Sequence, residues 1–387
     1  MFSNGFSKKS GLRSTHRQSR GIVASDLRMR DSLFIKILLY PFSLIYGAVV
    51  IFRNWLFNIK VLESKSYRAS GSKVICVGNI TMGGTGKTPV TEYLVRLLKD
   101  NYSVCVLSRG YKRKTSGFVL SSGKSLPRDI GDEPYQIKQK FPDITLAVDG
   151  NRCRGIEKVL SDVKPRPDVF LLDDAFQHRY VTPDLAILLI DYNRLITDDL
   201  LFPAGNLREP AKSKDRAQIV VVTKCPADIK PIEFRIIGKK LKLYPYQSLH
   251  FTTTKYDEPK ALFEGNGKVV KADSISGYEA LLLTGIANPA PFEEYVRKLV
   301  KNVEMMNFSD HHNFSKNDYS NIERAFGKLS SEKKIIITTE KDAVRMKNDP
   351  NFPESLKNHI YHIPMSVSFL YGGEDFDKQI LKLCGKK

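Results

Sequence analysis

Cysteine is sparse in this chain of 387 residues, and its five positions (Cys76, Cys105, Cys153, Cys225 and Cys384) include no C-x-x-C pair. An odd count without ligand spacing excludes a disulfide framework and a zinc site, and it fits reduced thiols in a cytosolic compartment. Acidic residues are short as well: 42 Asp and Glu stand against 61 Lys and Arg, a formal net charge of +19. Such an excess suits an anionic partner, either nucleic acid or an anionic membrane with a phosphorylated substrate. Zinc-finger, RNP and helix-turn-helix spacings are all missing, so the charge alone supports no nucleic-acid partner. A cleavable signal peptide is missing too, because the one long apolar run is too long and starts too far in. No internal repeat is strong enough to use. The length suits two domains and an extension.

What is present centres on Lys73 to Pro89, KVICVGNITMGGTGKTP. A β-branched run leads into a glycine-rich turn and then Lys87-Thr88 at a helix start, the order a phosphate-binding loop requires. Gly83, Gly84 and Gly86 are expected to take positive φ and turn backbone N–H groups toward phosphate oxygens. Lys87 would reach the β- and γ-phosphates and the Thr88 hydroxyl would serve Mg²⁺. The usual pattern opens with glycine, where this chain has Thr81, so the match rests on GGTGKT. The nucleotide contact is assigned to Thr81, Met82, Gly83, Gly84, Thr85, Gly86, Lys87 and Thr88.

Residues 1–30 carry seven basic residues and one acidic one and read as a disordered basic arm. The apolar stretch Leu33 to Phe57 follows. On a helical wheel Lys36, Ser43, Gly47 and Asn54 share one narrow face, the rest is apolar, and Pro41 is expected to kink or restart the helix. A membrane span, a buried core helix and an interfacial helix all remain open. Tyr40, Tyr46, Trp55 and the flanking cations favour the interface.

Downstream, apolar strands end in chemically useful residues. Tyr102 to Leu107 leads into Ser108-Arg109-Gly110-Tyr111, either a solvated basic loop or a ligand-facing edge. Gly131-Asp132-Glu133-Pro134 fits an acidic helix start, and equally a proton acceptor beside a metal-holding carboxylate. Val169 to Leu172 ends in Asp173-Asp174, a Walker-B pattern. Phe202 to Pro210 is a Pro- and Gly-dense loop with an Arg208–Glu209 pair. Ile219 to Val222 leads to Thr223-Lys224-Cys225-Pro226, where Pro226 occupies the position of the guanine-reading aspartate of GTPases. From about Ile232 a linker or ribbon is expected, followed by a second α/β unit holding Asp310-His311-His312. These adjacent histidines lack metal-ligand spacing.

Taken together, GN-x-x-x-GG-x-GKTP, LSRGY, GDEP, DG-x-R, LLDDAFQHR, PAG-x-LREP, TGIANP, DHH-x-F and TTEKDAVR resemble the tetraacyldisaccharide 4′-kinases of lipid A biosynthesis, over roughly Leu33 to Arg345. The resemblance implies two α/β/α units of P-loop NTPase type joined by a β linker, with an N-terminal membrane-interface helix. The boundaries expected are 1–30 (arm), 31–60 (helix), 61–230 (kinase core), 231–255 (linker) and 256–387 (second unit). It implies transfer of the ATP γ-phosphate, with Mg²⁺, to the 4′-hydroxyl of a tetraacyl glucosamine disaccharide 1-phosphate. It places the enzyme on the cytoplasmic face of a bacterial inner membrane, peripheral or monotopic, with no nucleic-acid partner; oligomeric state stays open. By the same resemblance Asp132 is the candidate base, tuned by His311 with Asp310 behind it, and Lys87 acts on the phosphates. Thr88, Glu133, Asp173 and Asp174 form the metal neighbourhood, and Arg109, Tyr111, Arg208 and Glu209 face the substrate. A membrane-associated P-loop switch ATPase is the rival, although its signature lysine position is Met82 here.

Overall fold

The computed structural model describes residues 33–263, 271–310 and 312–385. The expected basic arm (1–30) and His311 lie outside the described residues.

Helix α1 (Leu33–Asn58) is a single element of 26 residues that continues through Pro41. The helix does not restart at the proline, although the ring removes one backbone bond there. The polar stripe read from the wheel is the docking face. Ser43 Oγ donates to Leu201 O (3.0 Å) and accepts from Ala204 N (2.9 Å). Tyr46 Oη donates to Arg208 O (2.9 Å). A side chain at Gly47 would meet Leu201 Cδ1 at 2.7 Å, so glycine is what lets the helix approach. The opposite sides expose Phe34, Ile37, Leu38, Ile45, Val49 and Phe52.

The first unit comprises β1 (Lys73–Gly78), α2 (Lys87–Leu98), β2 (Val104–Ser108), β3 (Val119–Leu120), α3 (Asp132–Lys140), β4 (Thr145–Val148), α4 (Arg152–Asp162), β5 (Val169–Asp173), β6 (Leu185–Asp191), β7 (Ile219–Thr223), α5 (Pro231–Leu241) and β8 (Ser248–Tyr256). The second comprises β9 (Lys260–Ala261), β10 (Glu279–Thr284), α6 (Ala290–Leu299), β11 (Asn302–Asn307), α7 (Lys316–Lys328), β12 (Lys334–Thr339), α8 (Glu340–Lys347) and β13 (Ile360–Ile363). Strand β14 (Met365–Tyr371) and helix α9 (Gly373–Cys384) close the chain.

Nine strands form one sheet in the order β14-β8-β7-β6-β1-β5-β2-β4-β3, and five form another in the order β11-β10-β12-β13-β9. Pairing is parallel between β1, β5 and β6. These central strands are buried almost throughout, which is why they read as unbroken apolar runs rather than alternating ones. The phosphate loop leaves β1 at the centre of the sheet, where its carboxyl end offers a crevice between neighbouring strand ends.

Two boundaries differ from the sequence expectation. Residues 231–241 are a helix, with Ile237 and Leu241 buried, so the linker is not β throughout. Chain crossing is made by antiparallel β8 and β14, both in the large sheet. The final residues also return to the first unit: Phe376 and Ile380 are buried in the core formed with Leu94 and Leu98, and Tyr93 Oη donates to Asp377 (2.9 Å). Long-range packing of this kind leaves no local sequence signal.

Candidate active site

The phosphate loop is set by two left-handed glycines, Gly83 (φ +95°) and Gly86 (φ +78°), the second preceding α2. Gly84 stays outside the left-handed region, which corrects the expectation for that residue. The loop is braced against the 201–209 segment by Met82 N donating to Asn206 O (2.7 Å) and Arg208 N donating to Ile80 O (2.7 Å). Helix α1 bonds to that same segment, so helix and phosphate loop share one brace.

Behind the loop, the two aspartates that end β5 differ in environment. Asp173 is buried and accepts from Thr91 Oγ1 (3.2 Å) and Ser108 Oγ (3.3 Å). Burial pushes its carboxyl up to about 6, with the Glu133 and Asp174 charges adding and Lys87 opposing. Asp174 has φ +47°, a left-handed backbone for a non-glycine residue, of the kind that concentrates at functional sites. Its Oδ1 lies 3.6 Å from Lys87 Nζ, and its Oδ2 lies 3.8 Å from Arg208 Nη1. That Oδ1 is buried without a hydrogen bond among the described residues. No group of three or more His, Cys, Asp or Glu side chains among the described residues is close enough to hold a metal by itself.

The GDEP corner is where the second unit arrives. Gly131 (φ +94°) has no room for a side chain, which would meet Tyr111 O at 3.0 Å, so the RGY and GDEP turns lie back to back. Asp132 Oδ2 accepts from both Nε (2.9 Å) and Nη2 (2.7 Å) of Arg345 on α8. Arg345 is in turn fixed by Asp342 Oδ1 (3.1 Å), a fully buried carboxylate whose Oδ2 accepts from Gly285 N (2.8 Å). Lys341 Nζ lies 3.8 Å from Glu133 and 3.5 Å from Asp310. Lys140 Nζ sits between Glu92 and Glu340 at 2.7 Å from each. Burial raises the Glu92 carboxyl while Lys140 pulls it down.

Arg109 and Tyr111 are exposed at this corner, with Lys112 over the Tyr111 ring at 5.8 Å. Arg208 faces Asp174, as given above. Glu209 turns inward. It is buried, paired with Arg216 (2.7 Å) and bonded by Asn54 of α1 (3.1 Å), so its carboxylate anchors the helix. Arg216 lowers the Glu209 carboxyl against the opposing effect of burial.

Residues with no role assigned from the sequence also shape the site. Arg345 and Lys341 were visible only as basic residues four apart within TTEKDAVR, directly after a strand, and their partners lie far away in the chain. Arg152 is almost wholly buried and donates to Asp149 O (2.6 Å) and Asp173 O (3.0 Å), tying β4 to β5. Beside it His178 is depressed to about 4, chiefly by burial and then by Arg152.

Comparison with known proteins gives the family. Residues 35–385 match the family model described as LpxK, tetraacyldisaccharide-1-P 4′-kinase. A tetraacyldisaccharide 4′-kinase of Bacteroides thetaiotaomicron is 51% identical over 361 residues, covering 91% of this chain and 94% of that protein. Its counterpart from Flavobacterium johnsoniae is 44% identical over 345 residues, covering 89% and 96%. The solved structure of LpxK from Aquifex aeolicus in complex with ATP superposes with a TM-score of 0.70 at 29% identity, covering 90% of this chain and 99% of that one. The chain therefore belongs to the tetraacyldisaccharide 4′-kinase family.

Proposed function

We propose that the chain transfers the γ-phosphate of ATP to the 4′-hydroxyl of a tetraacyl glucosamine disaccharide 1-phosphate, at the corner where α8 meets α3 beside the phosphate loop. The observation that carries this reading is the Arg345–Asp132 contact. A carboxylate at a helix start is held through one oxygen by a cation from the other unit, next to a phosphate loop.

In this reading Thr81 to Thr88 bind the triphosphate, and Lys87 offsets charge on the transferring group. Asp132 accepts the proton of the sugar hydroxyl late in transfer, with Arg345 fixing the orientation of the carboxylate. His311, next to Asp310, tunes that acceptor. Arg345 reaches Asp132 without further closure of the two units. Arg109, Tyr111 and Arg208 contact the disaccharide and its phosphate.

The oxygen-rich surroundings fit a hard divalent cation, since Asp174 Oδ1 is buried without a hydrogen bond among the described residues, and burial, then the Glu133 and Asp174 charges, raise the Asp173 carboxyl. Thr88, Glu133, Asp173 and Asp174 are the candidate holders of Mg²⁺, which would neutralise charge on the β- and γ-phosphates.

Helix α1 lies along the protein rather than projecting from it, with polar contacts running from Ser43 to Asn58. Its remaining sides are apolar and exposed, and its length and composition would allow a membrane span. Bonding along one face supports immersion in the headgroup boundary, and in this reading the enzyme is monotopic on the cytoplasmic face of the inner membrane. Labelled γ-phosphate from ATP should pass to tetraacyldisaccharide 1-phosphate in mixed micelles with the wild type and not with Lys87→Ala. Vesicle-stimulated ATP hydrolysis without labelled lipid would contradict this reading and fit a switch ATPase.

A further inference from the structure

The outer side of the phosphate loop is held by three side chains from neighbouring strand ends. Arg194 Nη2, just beyond β6, donates to Met82 O (2.7 Å). Thr223 Oγ1, the last residue of β7, donates to Thr85 O (2.9 Å). Lys224 Nζ donates to Gly84 O and to Asp191 Oδ2, the latter at 2.8 Å. Asp191 closes β6 and is fixed by accepting from Asn193 N (3.0 Å). Three carbonyls of the loop are therefore bonded from outside. By contrast, among the described residues, the N–H groups of Gly83, Gly84, Gly86, Lys87 and Thr88 have no protein acceptor.

A peptide's N–H and C=O point in opposite directions, so fixing the carbonyls outward presents the amides to the crevice. Lys224 also has φ +59°, a left-handed backbone that a lysine adopts at a cost, and its two bonds hold it there. Gly83 is closed from the same side, because a side chain on it would meet Arg194 Nη2 at 3.2 Å.

We propose that Arg194, Thr223 and Lys224 are positioning residues that pre-form the anion site of the phosphate loop. They act through the Met82, Thr85 and Gly84 carbonyls rather than by touching nucleotide. The inference rests on the reading that this loop binds nucleotide phosphates, and it adds what keeps the loop in its binding shape. The Thr-Lys pair after β7 then serves the phosphates, which explains its presence although Pro226 removes the carboxylate that would read guanine.

The test is ADP binding by calorimetry to the full chain in detergent micelles, for wild type, Lys224→Met, Lys224→Arg, Thr223→Val and Lys87→Ala. Loss of a charge-assisted bond is expected to weaken ADP about tenfold in Lys224→Met, and loss of the hydroxyl about fivefold in Thr223→Val. Lys224→Arg, which keeps a cationic donor, should stay within about threefold of wild type. The KM for lipid should be unchanged in all three clasp variants, which a general loss of structure would not allow. If Lys224→Met does not fold, Thr223→Val carries the same test with a smaller disturbance. Wild-type ADP affinity in both, with binding lost in Lys87→Ala, would overturn the clasp and leave the phosphate site standing. Wild-type affinity in Lys87→Ala as well would overturn both.

Discussion

Two helices bracket the phosphate loop, and they are attached by different chemistry. Helix α1 meets the 201–209 segment through hydroxyls, amides and backbone carbonyls and through Glu209, and Arg179 bonds its last turns at Asn54 and Asn58. Helix α8 meets α3 almost wholly through charges: Arg345 on Asp132, Lys341 between Glu133 and Asp310, and Glu340 sharing Lys140 with Glu92. Mostly neutral bonds suit a helix whose other sides are apolar, since each buried charge would need a partner. Ion pairs suit a seam proposed to lie next to phosphoryl transfer, where fixed charges stabilise charge as it develops. In the proposed reading the first seam places the enzyme and the second equips it.

The largest effect should come from the second seam. Asp132→Asn keeps the shape of the carboxylate and removes its basicity, so kcat should fall by about a hundredfold or more, with ATP affinity little changed. Steady-state transfer in micelles, with ADP binding alongside, measures both. A smaller effect should follow from overfilling the first seam. Gly47→Leu would press into Leu201, costing about 1–3 kcal/mol and shifting the segment that braces the phosphate loop. Thermal unfolding and ATP KM should both respond, whereas Val49→Leu on the exposed side should move neither.

The smallest effect concerns pH. His362 is depressed to about 4, first by burial and then by Lys260, Lys140 and Lys347, and among the described residues its Nδ1 has no hydrogen-bond partner. A histidine depressed from about 6.5 contributes stability that is complete above that value. This contribution is lost as pH falls toward 4, because the unfolded chain binds the proton first. The melting temperature should decline across that window, and His362→Gln should flatten the decline by a few degrees.

The sequence made one seam far more legible than the other. The polar stripe of α1 stood out because a helix that is apolar elsewhere makes four small or polar positions conspicuous. The phosphate loop was legible because glycine and Lys-Thr are needed at fixed places, though Gly84 proved not to need its freedom. Asp132 was legible as an acid at a helix start, but Arg345 was not legible as its partner, because the two lie on helices of separate units and nothing local couples them. The partner of Glu209 was hidden for the same reason: adjacent to Arg208 in the chain, it turns inward to Arg216 while Arg208 turns to Asp174. The return of α9 to the first core was equally silent, since an amphipathic helix does not say which core it covers.

The most direct test of the composite site compares single-turnover γ-phosphate transfer by Arg345→Met and Lys140→Met, with melting temperature measured on both. Each removes a cation that bridges α3 to α8, and loss of one partner from a mostly buried pair costs about 3 kcal/mol of stability. Of these two cations, Arg345 is the one bonded to Asp132. The expected result is similar destabilisation of both, a transfer rate about a hundredfold lower in Arg345→Met, and a rate within a few-fold of wild type in Lys140→Met. Equal rates in the two variants would contradict the account, reducing the second seam to a structural joint.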